Sequence, residues 1–332
     1  MKKALLIMFA VMAVLPLLAS AQGTFDGIVF GDYYYVNSHH LEELEGKNGF
    51  IIRRIYFTYK YKISDEWLSV FRLEMNHPGD FVSNDTLKPY VKDAYLRYRM
   101  DENSFFIGIL GTPAGEAYDS IWGYRSIEAY PMHVQKLIGS RDLGIGYEYK
   151  SDPLTFKATF GNGENNKNEI NNGKSYNLHL SYGKDSGLYA EGFYNFTDKN
   201  NGIKESMFQA FLAYRDKWGK IGALYARKNI ETDGSDADYN MVSFFGVFPI
   251  AEQLELFLRY DKMMDSNPWA ENASYLKMSG LNPSNYLIGG LSYKINKNIS
   301  FIPNVQYVFY DEEDGIDTDS DLILRATFCY KF

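Results

Sequence analysis

Residues 141–161, RDLGIGYEYKSDPLTFKATFG, alternate apolar and polar side chains on both sides of a two-residue link, Ser151-Asp152. Before the link, the apolar row is Leu143, Ile145, Tyr147 and Tyr149. After it, the apolar row is Leu154, Phe156, Ala158 and Phe160. Because successive side chains of a strand point to opposite faces, this period of two predicts two strands, each apolar on one face. So short a link predicts that they form an antiparallel hairpin.

The same pattern recurs along the chain and predicts sixteen strands. They are 25–36, 50–62, 67–76, 90–99, 104–111, 141–150, 153–161, 174–183, 186–197, 205–215, 218–228, 239–249, 253–263, 284–294, 298–310 and 321–332. No Pro- or Ser-rich linker interrupts the series, and the composition is even from Phe25 to Phe332. The sequence therefore predicts one continuous all-β domain over residues 22–332.

The links between the predicted strands alternate between short and long. The short links are 63–66, 101–103, 151–152, 184–185, 216–217, 251–252 and 295–297. The long links are 37–49, 77–89, 112–140, 162–173, 198–204, 229–238, 264–283 and 311–320. An even number of antiparallel strands, with short periplasmic turns and longer external loops, is typical of an outer-membrane β-barrel.

The positions of the aromatic residues favour a lipid-facing barrel over a soluble β-sandwich or propeller, which would show the same alternation. Aromatic residues close the apolar rows, at the level where the boundary between membrane and water favours them. These residues are Tyr98, Tyr149, Phe160, Tyr182, Phe196, Tyr214, Tyr260, Tyr293, Phe309 and Tyr330. The last row ends in Phe332, which resembles the signal read by the outer-membrane assembly machinery.

The first residues have the features of a secretory signal peptide, predicted for residues 1–21. Lys2 and Lys3 precede an apolar run, and Ala19-Ser20-Ala21 offers a cleavage site. The 332 residues have a mean hydropathy of −0.33 and a formal net charge of −8. The low hydropathy excludes an α-helical membrane protein, and the acidic balance argues against a nucleic-acid partner. With Cys329 as the single cysteine, a disulfide framework and a thiolate zinc site are excluded.

Several short motifs, in their order and spacing, resemble the phosphate-selective porin O and P family. They are Phe50-Ile51-Ile52-Arg53-Arg54-Ile55, Asp93-Ala94-Tyr95-Leu96, Gly111-Thr112-Pro113-Ala114-Gly115, Ser140-Arg141-Asp142-Leu143-Gly144, Gly161-Asn162-Gly163, Arg259-Tyr260-Asp261 and Ile288-Gly289-Gly290-Leu291-Ser292-Tyr293. The resemblance implies a sixteen-stranded porin, usually trimeric, whose third external loop, residues 112–140, folds into the channel. Members that prefer anions line the constriction with many basic residues. The segment before Pro113 lacks the basic residue often found there, so phosphate selectivity is not carried over.

Charged side chains that face the water inside a barrel set its ion selectivity. The predicted pore-wall residues are Arg54, Arg72, Arg97, Arg99, Lys157 and Arg259. The predicted residues of the constriction loop and its exit are Glu116, Asp119, Arg125, Glu128, Lys136 and Arg141. One hypothesis is that the first four wall residues form a basic strip opposite an acidic third loop. The alternative is that wall charges of both signs pair with each other and only solvate the wall.

Two loop clusters contain metal-ligating residue types. The acidic residues between Asp311 and Asp321 would suit Ca²⁺ or Mg²⁺, with a solvated acidic loop as the alternative. The pair His39-His40 in the first external loop is interpreted as solvated. His179 and Ser181 share a strand face, but no orienting partner or oxyanion hole accompanies them. No enzymatic activity, cofactor or metal is therefore predicted.

Together these patterns predict a transmembrane antiparallel β-barrel of about sixteen strands in the outer membrane of a Gram-negative bacterium. Its predicted function is passive diffusion of small hydrophilic solutes or ions through a water-filled channel. The predicted partners are outer-membrane lipid and lipopolysaccharide, the assembly machinery and two further copies in a homotrimer. Two alternatives stay open: an anion- or phosphate-selective porin, and a non-conducting barrel that serves as an adhesin or structural anchor.

Overall fold

Sixteen β-strands form most of the chain. The computed structural model describes residues 23–332, so the predicted signal peptide, residues 1–21, lies outside the described residues. The strands are β1 Gly23–Ser38, β2 Asn48–Lys62, β3 Trp67–Asn76, β4 Lys88–Met100, β5 Asn103–Gly111, β6 Arg141–Ser151, β7 Leu154–Gly161, β8 Lys174–Gly183, β9 Gly187–Asp198, β10 Lys204–Asp216, β11 Gly219–Thr232, β12 Ser235–Ala251, β13 Leu254–Met263, β14 Ser284–Lys294, β15 Ile299–Tyr310 and β16 Asp321–Lys331. Each overlaps one predicted strand, which confirms the predicted all-β class.

The strands close into one antiparallel barrel. Each strand pairs with its neighbours in sequence, and β1 completes the ring by pairing with β16. The backbone N–H groups of Gly27 and Phe332 also donate to each other's carbonyl oxygens, at 2.9 and 3.1 Å. Closure leaves no edge strand, so both sides of every strand find backbone partners. None of the helices within residues 23–332 is long and apolar enough to cross a membrane.

Apolar side chains cover the outside of the barrel, and in strands such as β8 polar side chains face its interior. In β8 the outer row is Tyr176, Leu178, Leu180 and Tyr182, each 48% to 59% exposed. The inner row of β8 is Ser175, Asn177, His179 and Ser181, all buried. A soluble sandwich would bury the apolar row instead. An apolar outer surface over a polar interior is the arrangement expected of a barrel surrounded by lipid.

Tight turns join the strands at one end of the barrel, here the turn end, and longer connections join them at the other, here the loop end. The longer connections contain α1 (Glu116–Trp122), α2 (Pro131–Val134) and two short 3₁₀ helices, Glu42–Leu44 and Pro268–Asn272. The alternation of short and long links follows the prediction at every connection except one. That exception is the link between β11 and β12.

The predicted long loop 229–238 is wrong, because β11 and β12 continue past it as a hairpin. Cross-strand pairs support this extension: the Arg227 guanidinium lies 2.8 Å from the Asp238 carboxylate. The turn itself is Asp233-Gly234, and Gly234 has a φ of 122°. Asp-Gly is a strong signal for a two-residue hairpin turn, since glycine accepts a positive φ without strain.

Two of the longer connections lie against the inner rows of the barrel: residues 112–140, here loop 3, and residues 264–283, here loop 7. Their buried apolar side chains form one cluster with inner-row side chains of β10 to β16 and of β1. Among residues 23–332, strands β2 to β9 contribute no side chain to this cluster. The hydrophobic core is therefore inside the barrel and confined to half of its circumference.

Candidate functional site

Aromatic side chains hold α1 of loop 3 against β10, β12 and β13. The Tyr118 ring lies 5.2 Å from the Phe211 ring and 5.1 Å from the Phe245 ring. The Trp122 ring lies 5.3 Å from Phe245 and 5.8 Å from Phe257. Tyr118 and Trp122 are four residues apart, so they project from one face of the helix, and both are fully buried. Burying each side chain contributes about 1.5–3 kcal/mol, which fixes the helix in place.

A buried ion pair on β13 adds a polar anchor for the same loop. The Arg259 guanidinium donates to the carbonyl of Ala129 at 2.6 Å and lies 2.6 Å from the Asp261 carboxylate. It also lies over the rings of Tyr118 and Trp122, at 5.4 and 5.8 Å from their centroids. Arg259 was predicted to line the pore wall. In the structure it is buried beneath loop 3, where it holds the loop rather than facing open water.

Loop 3 is also held from opposite sides of the barrel. Arg53 on β2 donates to the carbonyl of Ile127 at 3.0 Å, and Lys228 on β11 donates to the carbonyl of Leu137 at 2.9 Å. β2 and β11 are seven strands apart around the sixteen-strand ring. A loop that bonds to both walls crosses the interior between them.

Loop 7 lies beside loop 3 and shares partners with it. The Tyr275 hydroxyl donates to the carbonyl of Arg53 at 2.8 Å, and the Tyr275 carbonyl accepts from Arg325 on β16. The Asn267 amide donates to the carbonyl of Gln135 in loop 3 at 2.8 Å. The sequence prediction did not place loop 7 inside the barrel. The apolar residues Ala273, Leu276 and Met278, which are buried, were the available signal.

The charged half of the interior contains carboxylates that are each shared by two cations. The first is Glu74 on β3. Its carboxylate lies 3.2 Å from the Arg54 guanidinium and also contacts the Lys92 ammonium. Arg54 donates in addition to the Tyr56 hydroxyl at 3.2 Å. One negative charge thus faces two positive charges, so this group carries a net charge of +1.

The second shared carboxylate is Asp93 on β4. It lies 3.0 Å from the Arg72 guanidinium and contacts the Arg141 guanidinium, at the point where loop 3 joins β6. Arg72 also donates to the Thr58 hydroxyl at 3.0 Å. Arg72 and Lys92, together with Arg141, line a cavity of about 300 Å³ beside loop 3. This second group also carries a net charge of +1.

The third shared carboxylate is Asp32 on β1, which is fully buried. The Arg53 guanidinium donates to it at 3.2 Å, and the Arg325 guanidinium lies 3.2 Å from it. The Thr327 hydroxyl donates to the same carboxylate at 2.5 Å. The same two arginines hold loops 3 and 7, so this third group lies at the border between the charged and apolar halves.

Loop 3 contributes charges of its own to this region. Asp119 lies 3.6 Å from Arg125, and burial raises the pKa of the Asp119 carboxyl to about 6. Burial holds the pKa of His133 well below its usual range, so its imidazole is neutral at pH 7. Glu128 accepts from its own neighbour's backbone N–H at 2.8 Å. Within the described chain, no carboxylate oxygen lies within 4.0 Å of the Lys136 ammonium. Loop 3 is therefore mixed in charge rather than acidic.

The remaining predicted residues lie nearer the turn end. Lys157 on β7 lies 2.6 Å from Glu116 of α1 and 3.2 Å from Glu148 on β6. Arg97 lines the same cavity as these three side chains. Arg99 is exposed beside the β4–β5 turn, where it donates to the carbonyl of Asp101 at 3.1 Å. The four arginines of the hypothetical basic strip therefore do not lie side by side: Arg54 and Arg72 neighbour loop 3, and Arg99 does not.

Two β-bulges place two cations in the interior. A regular alternation of side chains along the strands would have pointed both of them outward. The register between β1 and β2 skips Arg53, and the register between β3 and β4 skips Lys92. Each bulge puts two consecutive residues on one face, so Arg53 joins Arg54 and Lys92 joins Asp93 inside the barrel. Both cations were missed because an uninterrupted period of two points them at lipid. The signal was their charge, which is costly on a lipid-facing row.

Phe332, the predicted assembly signal, follows β16. Its side chain is 60% exposed, and its ring centroid lies 6.5 Å from that of Tyr330. Its backbone pairs with Gly27 at the turn end, so the terminal residue still belongs to the barrel wall. This placement leaves the aromatic ring accessible from outside the barrel.

Comparison with known proteins identifies the family. A family model described as Gram-negative porin matches residues 8–315. The chain belongs to the Gram-negative porin family. This porin is thus an outer-membrane channel for passive diffusion, as its closed barrel with an apolar outer surface also indicates. The comparison with curated proteins finds no match.

Solved porin structures share the fold of this porin at low sequence identity. The anion-selective porin from Comamonas acidovorans superposes with a TM-score of 0.72 and 13% identity, covering 93% of this chain and 99% of that one. OmpF of Salmonella typhi, in complex with daunomycin, gives 0.65 and 16%, covering 93% and 97%. The trimer form of OmpT from Vibrio cholerae gives 0.63 and 13%, covering 93% and 99%.

Proposed function

We propose that this porin prefers anions and that loop 3 forms its constriction. The observation that carries the proposal is a group of carboxylates near loop 3, Glu74, Asp93 and Asp32, each of which lies between two cations. Glu74 and Asp93 both lie in the half of the barrel that the apolar cluster leaves open. A pore selects ions by the charges that face its lumen. Each of these three groups has one positive charge in formal excess, whereas Lys157, between Glu116 and Glu148, leaves one negative charge in excess. The sum over the four groups is positive, so the wall attracts anions.

The confined site strengthens this effect. A narrow opening with low-dielectric walls focuses the field of the charges that line it. Within loop 3 the formal charges of Lys136 and Arg125 cancel those of Asp119 and Glu128, so the excess positive charge comes from the barrel wall. The pairing also has a structural role, because unpaired buried cations would be expensive to desolvate. Sharing one carboxylate between two cations satisfies both and keeps a net positive charge.

Preference for phosphate over chloride is a finer form of the same proposal. Guanidinium groups bind phosphate oxygens through paired, charge-assisted hydrogen bonds. Arg72, Arg125 and Arg141, with Lys92, line the cavity of about 300 Å³ beside loop 3, which offers several such donors. This supports the resemblance to phosphate-selective porins, although the segment before Pro113 lacks its basic residue. Inhibition of chloride conductance by millimolar phosphate would test this finer preference.

The assembly proposed for this porin is a homotrimer in the outer membrane, surrounded by lipid and lipopolysaccharide. The trimer form of OmpT from Vibrio cholerae, which shares the fold, supports this state. The exposed ring of Phe332 supports recognition by the outer-membrane assembly machinery, and the predicted signal peptide of residues 1–21 would direct export. Light scattering of the protein in detergent, corrected for bound detergent, would give the number of copies directly.

Uptake by liposomes tests the proposed channel and its charge preference together. Liposomes that contain the porin are expected to swell faster in arabinose than in raffinose, because the opening excludes the larger sugar. Gluconate is expected to enter faster than a cation of similar size, because the constriction carries net positive charge. A matched variant, Lys62→Gln at the exposed β2–β3 turn, should behave as the original. Equal entry of the two ions would contradict the anion preference, and no swelling at all would contradict an open channel.

A further inference from the structure

Two adjacent histidines and one aspartate meet at the loop end of the barrel. His39 and His40 follow β1, and Asp321 is the first residue of β16. The Asp321 Oδ1 atom lies 2.8 Å from His40 Nδ1 and 3.6 Å from His39 Nδ1. These three atoms all lie within 4.8 Å of one another. The interpretation of His39-His40 as a solvated pair is wrong, because His39 is 2% exposed and its partner Asp321 is 1% exposed.

The Asp321 carboxylate has no permanent cation to neutralise it. Within residues 23–332, no lysine or arginine nitrogen lies within 4.0 Å of its oxygens, and its only charge partners are the two imidazoles. By contrast, Asp32 and Glu74, which are equally buried, each lie between two cations. A buried carboxylate is expensive unless it is paired or coordinates a metal. The carboxylate also accepts from the His40 backbone N–H at 2.7 Å, but among residues 23–332 only an imidazole could bring it a positive charge.

Neighbouring groups orient these side chains as they do in metal sites. The outer nitrogen of His39, Nε2, lies 3.0 Å from the carbonyl of Leu276 in loop 7, which assigns the proton to Nε2 and a lone pair to Nδ1. The Tyr310 hydroxyl donates to Asp321 Oδ2 at 2.5 Å and leaves Oδ1 toward the histidines. In this structure the Leu41 backbone N–H donates a hydrogen bond to His39 Nδ1 at 3.0 Å. A bound ion would replace this hydrogen bond, and it would also replace the proton shared by His40 Nδ1 and the Asp321 carboxylate.

We propose that His39, His40 and Asp321 form a site for a divalent transition-metal ion of the zinc type at the loop end of the barrel, reached from the partly exposed side of His40. Two imidazole nitrogens and one carboxylate oxygen are ligands that zinc accepts, with water completing the shell. Calcium and magnesium prefer oxygen ligands throughout, so the two imidazoles disfavour them. The ion would join the first external loop to β16. Through the bond between His39 and Leu276, it would also hold loop 7, which lies inside the barrel.

Calorimetric titration of the full porin in detergent with Zn²⁺ tests the site. One Zn²⁺ per chain is expected to bind to the original protein. His40→Ala should weaken binding at least about tenfold, the loss that follows even from removing a group that only orients a ligand. Tyr310→Phe should weaken it by about tenfold for that reason. His77→Ala is the matched control, because His77 lies in the next external loop and outside the cluster, and it should bind Zn²⁺ as tightly as the original.

Electron paramagnetic resonance of the porin with one equivalent of Cu²⁺ gives a second readout that does not depend on transport. Coupling to two nitrogens is expected in the original protein, and to one nitrogen in His40→Ala. Slow migration of the unheated variants on gels would verify that each barrel is folded. The site is refuted if the original protein does not bind Zn²⁺. It is equally refuted if folded His39→Ala/His40→Ala retains binding, since the acidic loop of residues 311–320 would then be the ligand. Neither outcome bears on the anion preference of the channel.

Discussion

The two halves of the barrel interior differ in their side chains and in their roles. From β10 round to β1, apolar inner-row side chains such as Phe211, Phe245 and Ile288 pack against loops 3 and 7, among buried polar side chains such as those of Gln306 and Thr327. From β2 to β9, the inner rows are polar and charged, as in β8, and carboxylates such as Glu74 and Asp93 sit between pairs of cations. One half behaves like the core of a soluble protein, and the other lines a space for water.

The contrast between the two halves explains how a wide barrel can contain a narrow channel. A ring of sixteen strands leaves an aqueous lumen unless something fills it. Here the loops fill one side, where buried aromatic rings fix them together with hydrogen bonds from a few buried cations such as Arg259. The cations of the other side are then free to face solutes. Changes in the apolar half should therefore alter the stability and width of the channel, whereas changes in the charged half should alter its selectivity.

The largest effect is expected from Trp122→Ala. This change leaves a cavity between α1 and β12–β13, and such truncations cost about 3–5 kcal/mol. Urea unfolding, followed by gel mobility, should show that loss, and single-channel conductance should rise because α1 is no longer fixed. Trp218→Ala is the matched control, since Trp218 lies at the β10–β11 turn and is 45% exposed. An unchanged conductance for Trp122→Ala would show that loop 3 does not limit the channel.

A comparable effect is expected from Arg259→Leu. Removal of the guanidinium leaves the Asp261 carboxylate buried without a partner, which costs about 3–5 kcal/mol. The bond to Ala129 in loop 3 is lost as well. The double variant Arg259→Leu/Asp261→Leu should recover much of the lost stability, because no charge remains buried. If the double variant is as unstable as the single one, the pair does not anchor the loop by the mechanism described. Urea unfolding of the three proteins makes the comparison.

A smaller effect, on selectivity alone, is expected from Lys92→Gln. Glu74 would then face only Arg54, and one positive charge would disappear from the wall. A unit charge about 4 Å from a passing ion is worth about 1 kcal/mol in water, which is about fivefold in permeability. The anion-to-cation permeability ratio should therefore fall, because anions pass more slowly and cations faster, each by up to about that factor. Glu74→Gln should shift the ratio in the opposite direction. Reversal potentials of both variants, with Lys62→Gln as the control, would make the measurement. Shifts of the same sign for both would contradict the account.

A still smaller effect is expected from pH. The Asp119 carboxyl has a pKa of about 6 because it is buried, so it carries a negative charge at pH 7 and is mostly neutral at pH 5. Protonation removes a negative charge from loop 3, and the preference for anions should therefore rise as the pH falls from 7 to 5. Burial holds the pKa of His133 well below its usual range, which disfavours a charge on this imidazole. Asp119→Asn should show the low-pH ratio at both pH values. A pH response that persists in this variant would assign the titration to another group.

The smallest effect, indistinguishable from none, is expected from Arg99→Gln. Arg99 is exposed beside a turn and bonds only to a backbone carbonyl among the described residues. A shift of the reversal potential of Arg99→Gln as large as that of Lys92→Gln would show that charges at the turn end affect selectivity as much as charges at the constriction.

The sequence alone was enough to predict the architecture of the barrel. Alternation in stretches such as 141–161 is a local property, because each strand displays its two faces within a few residues, and all sixteen strands could be predicted in this way. It was not enough to predict which side chains and loops lie inside the barrel. Arg53 and Lys92 depend on bulges, and a bulge is decided by the pairing of two strands rather than by one. The place of loop 7 depends on distant partners such as Arg325, which no local pattern contains.

Among the predicted site residues, those near the junction of loop 3 with the wall come together: Arg54 and Arg72 with Arg141. Others are separated because strand parity gives a face but no depth. Arg97 and Arg99 share a face with Arg72's neighbour Asp93, yet each step of two residues moves along the strand toward the turn end. Depth in the barrel, and cover by a loop as at Arg259, can be read only from the three-dimensional structure.

We propose that the half of the interior left open by the loops carries net positive charge. The most direct test is the zero-current potential of the unmodified porin in a planar bilayer under a tenfold KCl gradient at pH 7. We expect the potential of this porin to have the sign of chloride selectivity. A potential with the sign of potassium selectivity would contradict it.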